Sequence, residues 1–293
     1  MPFNWQILKT RTLSAILFVA FMVTGLFINP WLFLILFLII HIGCWIEYQT
    51  LLIKIDTRYN NASIFHKIGI IVAGTAFMLW CTSDYYTIND LNIHALGWWI
   101  LLLTLFVFPI IEILFSKKIL LINVIYSIAG FLYISVSLGC IILLRNITLQ
   151  QNANPHQWNN AFYALPIFLI FCIWVNDTMA YIIGSIIGKT SLSSISPNKT
   201  WEGTIGGIIA CISIMGGFNY LLHWLPWQHA LAISAIAAIV GTCGDLLESK
   251  LKRIANVKDS GKLMPGHGGF LDRFDSLLLA IPFVWFYTRL YWS

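Results

Sequence analysis

Nine times along this chain an apolar run of roughly 20 residues returns, the length that crosses about 30 Å of hydrocarbon as a helix. The runs are 12–29, 31–53, 68–83, 95–115, 119–144, 162–187, 203–222, 229–247 and 274–292. In hydrocarbon every backbone N–H and C=O must pair within the protein, so each run is predicted to be helical even where β-branched residues are dense. The run at 68–83 is short enough to be tilted or partly re-entrant, and a count of eight or ten spans fits the same runs. Of the 293 residues, 59% are hydrophobic and 10% charged, against about 25% charged in soluble domains, so the bilayer is the main solvent. The expected fold is all-α and polytopic, with 1–293 forming a single membrane domain.

Lys and Arg gather in short cytoplasmic loops, and their positions set the orientation. With nine helices and a cytoplasmic N-terminus, all 17 basic residues except Arg145 and Arg289 fall on the cytoplasmic side. One missed helix would reverse every later loop, so the asymmetry supports the N-in, C-out arrangement in a cytoplasmic (inner) membrane. The net charge of +5 is this topology signal, and no nucleic-acid partner is implied. Lys9 and Arg11 before the first run resemble a signal peptide, but no small-x-small cleavage site follows and a second run begins at once. The six cysteines lie in or at the ends of apolar runs without metal-ligand spacing, and are expected to be small buried hydrophobes.

The polar stretch SKLKRIANVKDSGKLMPGHGGFLDRFDS, from Ser249 to Ser276, stands out in so apolar a chain. Gly266, Gly268 and Gly269 around His267 would let the backbone approach a ligand and turn its N–H groups inward, as phosphate-cradling loops do. Lys252, Arg253, Lys258 and Arg273 supply positive charge for a polyphosphate. Asp259, Asp272 and Asp275 supply hard oxygens of the kind Mg²⁺ takes, one or two carboxylates at a time. Just upstream, Asp245 and Glu248 are three residues apart at the end of the eighth helix, so both carboxylates are expected to point into the mouth of one site. Asp177 lies well inside an apolar run, where an ionisable group is costly and marks function by default.

These residues carry a resemblance. Ser249–Asp275 is similar to the pattern of phosphatidate cytidylyltransferases: Ser-x-x-Lys-Arg, Lys-Asp-Ser-Gly (with Ser260), Pro-Gly-His-Gly-Gly, then Leu-Asp-Arg-x-Asp. A second block, Trp174-x-x-Asp177-x-x-Ala180-Tyr181 with Ser196-Pro197-Asn198-Lys199-Thr200-Trp201-Glu202-Gly203, resembles the same family, as does Gly244-Asp245-Leu246-x-Glu248-Ser249. The likeness is strong over roughly 170–276, the expected catalytic half. In the first half only features such as Trp45-x-Glu47 share it. Asn176 departs from the pattern, which has a small residue there.

The resemblance implies a Mg²⁺-dependent nucleotidyltransferase that joins CTP to phosphatidic acid, releases pyrophosphate and forms a homodimer. On that reading Asp245 and Asp272 are metal ligands. Lys252, Arg253 and Arg273 act at the reacting phosphates. Asp177, Lys199, Glu248, Lys258, Asp259, Ser260, Gly266–Gly269 and Asp275 bind substrate, His267 as an oriented donor more than as a base.

Against these readings stand plainer ones. A lone acid at a helix end is usually solvated; two acids flanking one glycine-rich basic segment at motif positions favour the metal. Asp177 could instead pair with Lys199, and Lys199 and Arg273 could be topology anchors. Glu47 and Glu112 are expected near helix ends, reaching the interface. Gly184-x-x-x-Gly188-Lys189-Thr190 is one residue short of a P-loop and closes a helix instead of opening one. The Asn-x-Ser/Thr triplets at Asn61 and Asn198 fall in cytoplasmic loops. An ion-coupled transporter would also show an intramembrane acid, but near the midplane between broken helices and without the polar segment. A CTP-dependent lipid kinase or an ether-lipid CDP synthase remains a neighbour in chemistry.

Overall fold

The computed structural model describes residues 19–115, 120–151, 164–261 and 268–291. Each apolar run holds a helix over most of its described part, the run at 68–83 ending as a helix at Trp80. In chain order these are α1 (19–27), α2 (Pro30–Ile55), α3 (Ile64–Trp80), α4 (Ile93–Phe115), α5 (Leu121–Gly130), a π-helical stretch (Phe131–Val136), α6 (Ser137–Gln151), α7 (Ala164–Ile187), α8 (Trp201–Leu222), α9 (Trp227–Ile254) and α10 (Leu271–Tyr291). Among the described residues, six helices are long and apolar enough to cross a membrane, with α5, the π-helical stretch and α6 making one of them; α3 is apolar but shorter. The apolar surface they expose, such as Leu103, Phe106, Ile110 and Leu114 on α4, suits lipid and not water. The chain is a multi-pass membrane protein.

Local chemistry explains the helix ends. Asn29 caps α2, accepting from Leu32 N at 2.8 Å, with Pro30 at the first helical position. Ser63 caps α3 through His66 N at 2.9 Å, and Thr200 caps α8 through Gly203 N at 3.1 Å. α8 ends on His223 in the left-handed conformation, φ 49°. A small hairpin pairs Thr87–Ile88 with Leu91–Asn92 across Asn89 and Asp90, both at positive φ, the primed turn that Asn and Asp tolerate. Asp56, half-buried at the α2 exit, accepts from the Arg58 side chain and backbone, and these bonds hold its carboxyl down at about 2.

The chain falls into two compact units, one of Met1–Ile142 with Leu251–Arg273, the other of Leu143–Lys250 with Phe274–Ser293. In the first, α3 runs along α4, with Ala73, Ala76 and Leu101 buried between Phe77, Trp80 and Phe131. α2 buries Phe33, Phe37, Ile40 and Trp45. Its register against the π-helical stretch is fixed by Ser135, whose Oγ lies 2.9 Å from both His41 Nε2 and Trp45 Nε1. The local widening of a π-turn gives that hydroxyl its place.

In the second unit the most extensive packing is α7 on α8. Helices in lipid gain little from hydrophobic exclusion and associate through close packing of small residues. Gly207 faces Ala180 so closely that a Cβ there would sit 2.7 Å from the Ala180 Cβ.

Two boundaries differ from expectation. α9 runs on to Ile254, beyond the apolar run that ends at 247, so Ser249, Lys252 and Arg253 are helical. Glu, Leu, Lys and Arg are good helix formers, and Lys252 and Arg253 in the last turn complement the helix dipole. α10 likewise starts at Leu271, with Asp272 in its first turn. Five cysteines are buried, but Cys243 on α9 is exposed.

Candidate functional site

In the second unit a cleft of about 460 Å³ opens between α7, the 188–200 segment, α8 and α9. That volume lies within the range of small-molecule sites. Its charged lining is Asp177, Lys199 and Asp245.

Lys199 is delivered by a folded segment. Ser191 and Thr200 form an antiparallel bridge, Leu192 N donates to Lys199 O at 2.7 Å and Trp201 N to Thr190 O at 2.9 Å. Glu202, in the first turn of α8, gathers the start of the segment by accepting from Lys189 N (3.2 Å), Thr190 N (3.2 Å) and Thr190 Oγ1 (2.8 Å). The Lys199 ammonium then ion-pairs with Asp245, which also accepts from Ser249 Oγ at 3.2 Å. Both charged groups keep more than a quarter of their side-chain surface accessible, 29% and 27%. Asp177 is exposed to the cleft, and buried Asn176 reaches both it and Thr242 Oγ1 at 3.4 Å. The departure from the family pattern at Asn176 thus adds a donor beside the carboxylate and ties α7 to α9.

Glu248 behaves otherwise. Fully buried, it is not among the cleft-lining residues, so the expected pairing of its carboxylate with Asp245 in one mouth is not what the structure shows. Asp275 is also buried; its carboxylate accepts from Ser276 N at 2.6 Å, beside the close approach of Gly244 to the Asp275 carbonyl.

In the first unit, Asp272 folds the motif segment instead of facing open space. Its Oδ2 accepts from Ser260 N (2.9 Å), Ser260 Oγ (3.0 Å) and Gly269 N (2.8 Å), and its Oδ1 from Lys252 Nζ (2.7 Å). The Gly269 N–H, expected to point at a ligand, is therefore committed to Asp272. Gly268 takes φ +80°, a conformation that only glycine adopts without strain, and a Cβ there would also press on Asp272. Lys258 and Asp259 are exposed beside Ser260, which is buried, and Arg253 and Arg273 are exposed on α9 and α10. Gly266 and His267 lie outside the described residues.

Sequence reasoning passed over Glu47. Expected at the interface, it is 6% exposed, accepting from Ser260 Oγ, Phe270 N and Leu271 N at 2.8–2.9 Å. Its one signal was an acid on the polar side of the Trp45-x-Glu47 pair. Glu202 was visible in the Lys-Thr-Trp-Glu-Gly block but not recognised as a loop anchor. Glu112, by contrast, accepts from the Ser63 hydroxyl at the start of α3.

As to a metal, no group of three or more His, Cys, Asp or Glu gathers among the described residues. Mg²⁺ needs only one or two carboxylates plus water and phosphate oxygens, and Asp177 with Asp245 in one cleft meets that need. Asp272 would have to release Lys252 before it could ligate.

Comparison with known proteins gives the chain a context. The model of the cytidylyltransferase family matches residues 9–291. A phosphatidate cytidylyltransferase of Bacillus subtilis is 41% identical over 143 residues, 48% of this chain and 51% of that protein. That of Staphylococcus saprophyticus is 46% identical over 123 residues, 40% and 45% of the two chains. The chloroplastic phosphatidate cytidylyltransferase 5 of Arabidopsis thaliana is 42% identical over 127 residues, 43% and 32%. The matched stretch spans about half or less of each of these relatives.

Proposed function

This chain belongs to the cytidylyltransferase family, and from that premise we propose that it joins CTP to phosphatidic acid, giving CDP-diacylglycerol and pyrophosphate for phospholipid synthesis. The observation that carries the reading is the cleft holding Asp177, Lys199 and Asp245. A phosphate oxygen of phosphatidate attacks the α-phosphorus of CTP. One P–O bond forms, the bond to the β-phosphate bridge breaks, and its electron pair leaves with pyrophosphate. Such a transfer needs positioning and neutralised charge more than covalent help from the protein. The phosphate nucleophile is already an anion, so no general base is required.

The balance of charge decides what the cleft needs. Two carboxylates against one ammonium repel a triphosphate. A Mg²⁺ held by Asp245 and Asp177 would reverse that balance and withdraw charge from the phosphates. Lys199 is then placed to contact a phosphate oxygen in exchange for Asp245. The motif resemblance assigns phosphate contacts to Lys252, Arg253, Lys258 and Arg273 as well. The asymmetry of basic residues supports a cytoplasmic cleft in the inner membrane, reached by CTP from the cytosol and by lipid from the inner leaflet. The family likeness supports a homodimer.

The test is purified protein in detergent with phosphatidate, labelled CTP and Mg²⁺. A lipid product heavier by CMP is expected. A product heavier by one phosphate, or no nucleotide-dependent product at all, overturns the reading.

A further inference from the structure

We propose that Glu47 is the positioning residue for Lys258 and Asp259, holding from within α2 the Ser260–Gly261 backbone beside them against the start of α10. This rests on the reading above only in calling Lys258 phosphate-binding; that Glu47 holds the backbone rests on geometry alone.

Glu47 is more than 200 residues from its partners in sequence, yet its carboxylate joins Ser260 to the start of α10. Ser260 Oγ donates to Oε2 at 2.8 Å. Phe270 N donates to Oε1 and Leu271 N to Oε2, both at 2.9 Å. The last two are orphan N–H groups at the start of α10, where a negative charge is also favoured by the helix dipole. The carboxylate thus acts as a cap supplied by another helix.

Two glycines, Gly261 and Gly269, are explained by the same contact. A Cβ at Gly261 or at Gly269 would collide with the Glu47 carboxylate. Both positions stay bare so that the acid can enter, and for Gly269 this is a different reason from the ligand approach its sequence pattern suggested. One turn earlier on α2, a Cβ at Gly43 would overlap the Phe270 ring. α2 therefore grips this part of the chain by charge at Glu47 and by shape at Gly43. The Ser260 hydroxyl has one proton and stands within bonding distance of both Glu47 Oε2 and Asp272 Oδ2, linking the two carboxylates into one clasp.

The experiment compares the full-length parent with Glu47→Gln and Glu47→Asp in detergent, by tryptic cleavage after exposed Lys258 and by CTP kinetics. Gln keeps the shape but turns an NH₂ toward a donor. Cleavage and KM for CTP should each rise at least about tenfold, the order set by one lost hydrogen bond to a charged acceptor. kcat should move less, and Asp, which keeps the charge on a shorter arm, should fall between Gln and parent. Cleavage and KM at parental values overturn the proposal. A lowered melting temperature with unchanged KM assigns Glu47 to bulk stability and overturns it too, as does failure of both variants to fold. If the parent makes no CDP-lipid, the functional reading fails, while the cleavage ratio still decides whether Glu47 holds the backbone.

Discussion

Lys199 and Asp245, 46 residues apart, meet as an ion pair at the edge of the cleft, with Asp177 lining the same wall. Because more than a quarter of each side chain is accessible, solvent screens the pair and its contribution to stability is at most about 1 kcal/mol. Asp245→Asn should therefore keep a melting temperature within a few degrees of the parent. Turnover should fall at least about a hundredfold, the order lost when a transition-state charge partner is removed. Parental CDP-lipid formation by a monodisperse Asp245→Asn variant would remove Asp245 from the chemistry.

Asp272→Asn should behave in the opposite way on stability. Its carboxylate accepts from Lys252, Ser260 N and Gly269 N and shares the Ser260 hydroxyl with Glu47, with only 15% of the Lys252 and 11% of the Asp272 side chain accessible. An amide cannot accept at both ends, and the loss of a charged acceptor costs about 2 kcal/mol. A clear fall in melting temperature, with faster cleavage after Lys258, is expected from differential scanning and proteolysis. A parental melting curve would show that the clasp contributes nothing to folding.

Helix content was legible because length and apolarity suffice: a lone segment in hydrocarbon satisfies its backbone only as a helix, and each run holds a helix over most of its described part. The motif block located the cleft residues Asp177, Lys199 and Asp245. What stayed hidden depended on direction and distance. Asp245 and Glu248 have the same chemistry and share a helix face by spacing, yet one lines a cleft and the other is buried, a difference that spacing alone does not encode. Glu47 was hidden by separation, since no local spacing links it to Ser260. Gly269 read as a ligand cradle because a glycine that admits a protein carboxylate looks, in sequence, like one that admits a phosphate.

The orientation is testable at Asp259, exposed beside the buried Ser260. A single cysteine there, in a cysteine-free background, should react with an impermeant maleimide only when the cytoplasmic face is open. Labelling in intact cells would reverse the topology drawn from the basic residues.

Gly207→Leu tests the close packing of α7 on α8. Even a Cβ would lie 2.7 Å from the Ala180 Cβ and 2.9 Å from its backbone, and backbone cannot rotate away as a side chain can. Overpacking of this kind costs about 1–3 kcal/mol. Gly217, which has nothing within 4 Å, is the control on the same helix, and Gly217→Leu should melt close to the parent. Equal melting temperatures for the two variants would mean that the α7–α8 contact yields without cost.

Removal of divalent metal should abolish CDP-lipid formation, and added Mg²⁺ should restore it. The charged lining of the cleft, two acids against one base, cannot by itself draw in a triphosphate and an anionic lipid phosphate together. Asp177→Asn sharpens the test, because it removes one acid without touching the Lys199–Asp245 pair. If Asp177 shares the metal, the variant should need several-fold more Mg²⁺ for half-maximal rate, with little change in melting temperature. If Asp177 merely repels nucleotide, the variant should bind CTP more tightly at the parental Mg²⁺ requirement. Undiminished turnover of the parent in excess chelator would take metal out of the mechanism and leave Lys199 as the only cation lining the cleft among the described residues.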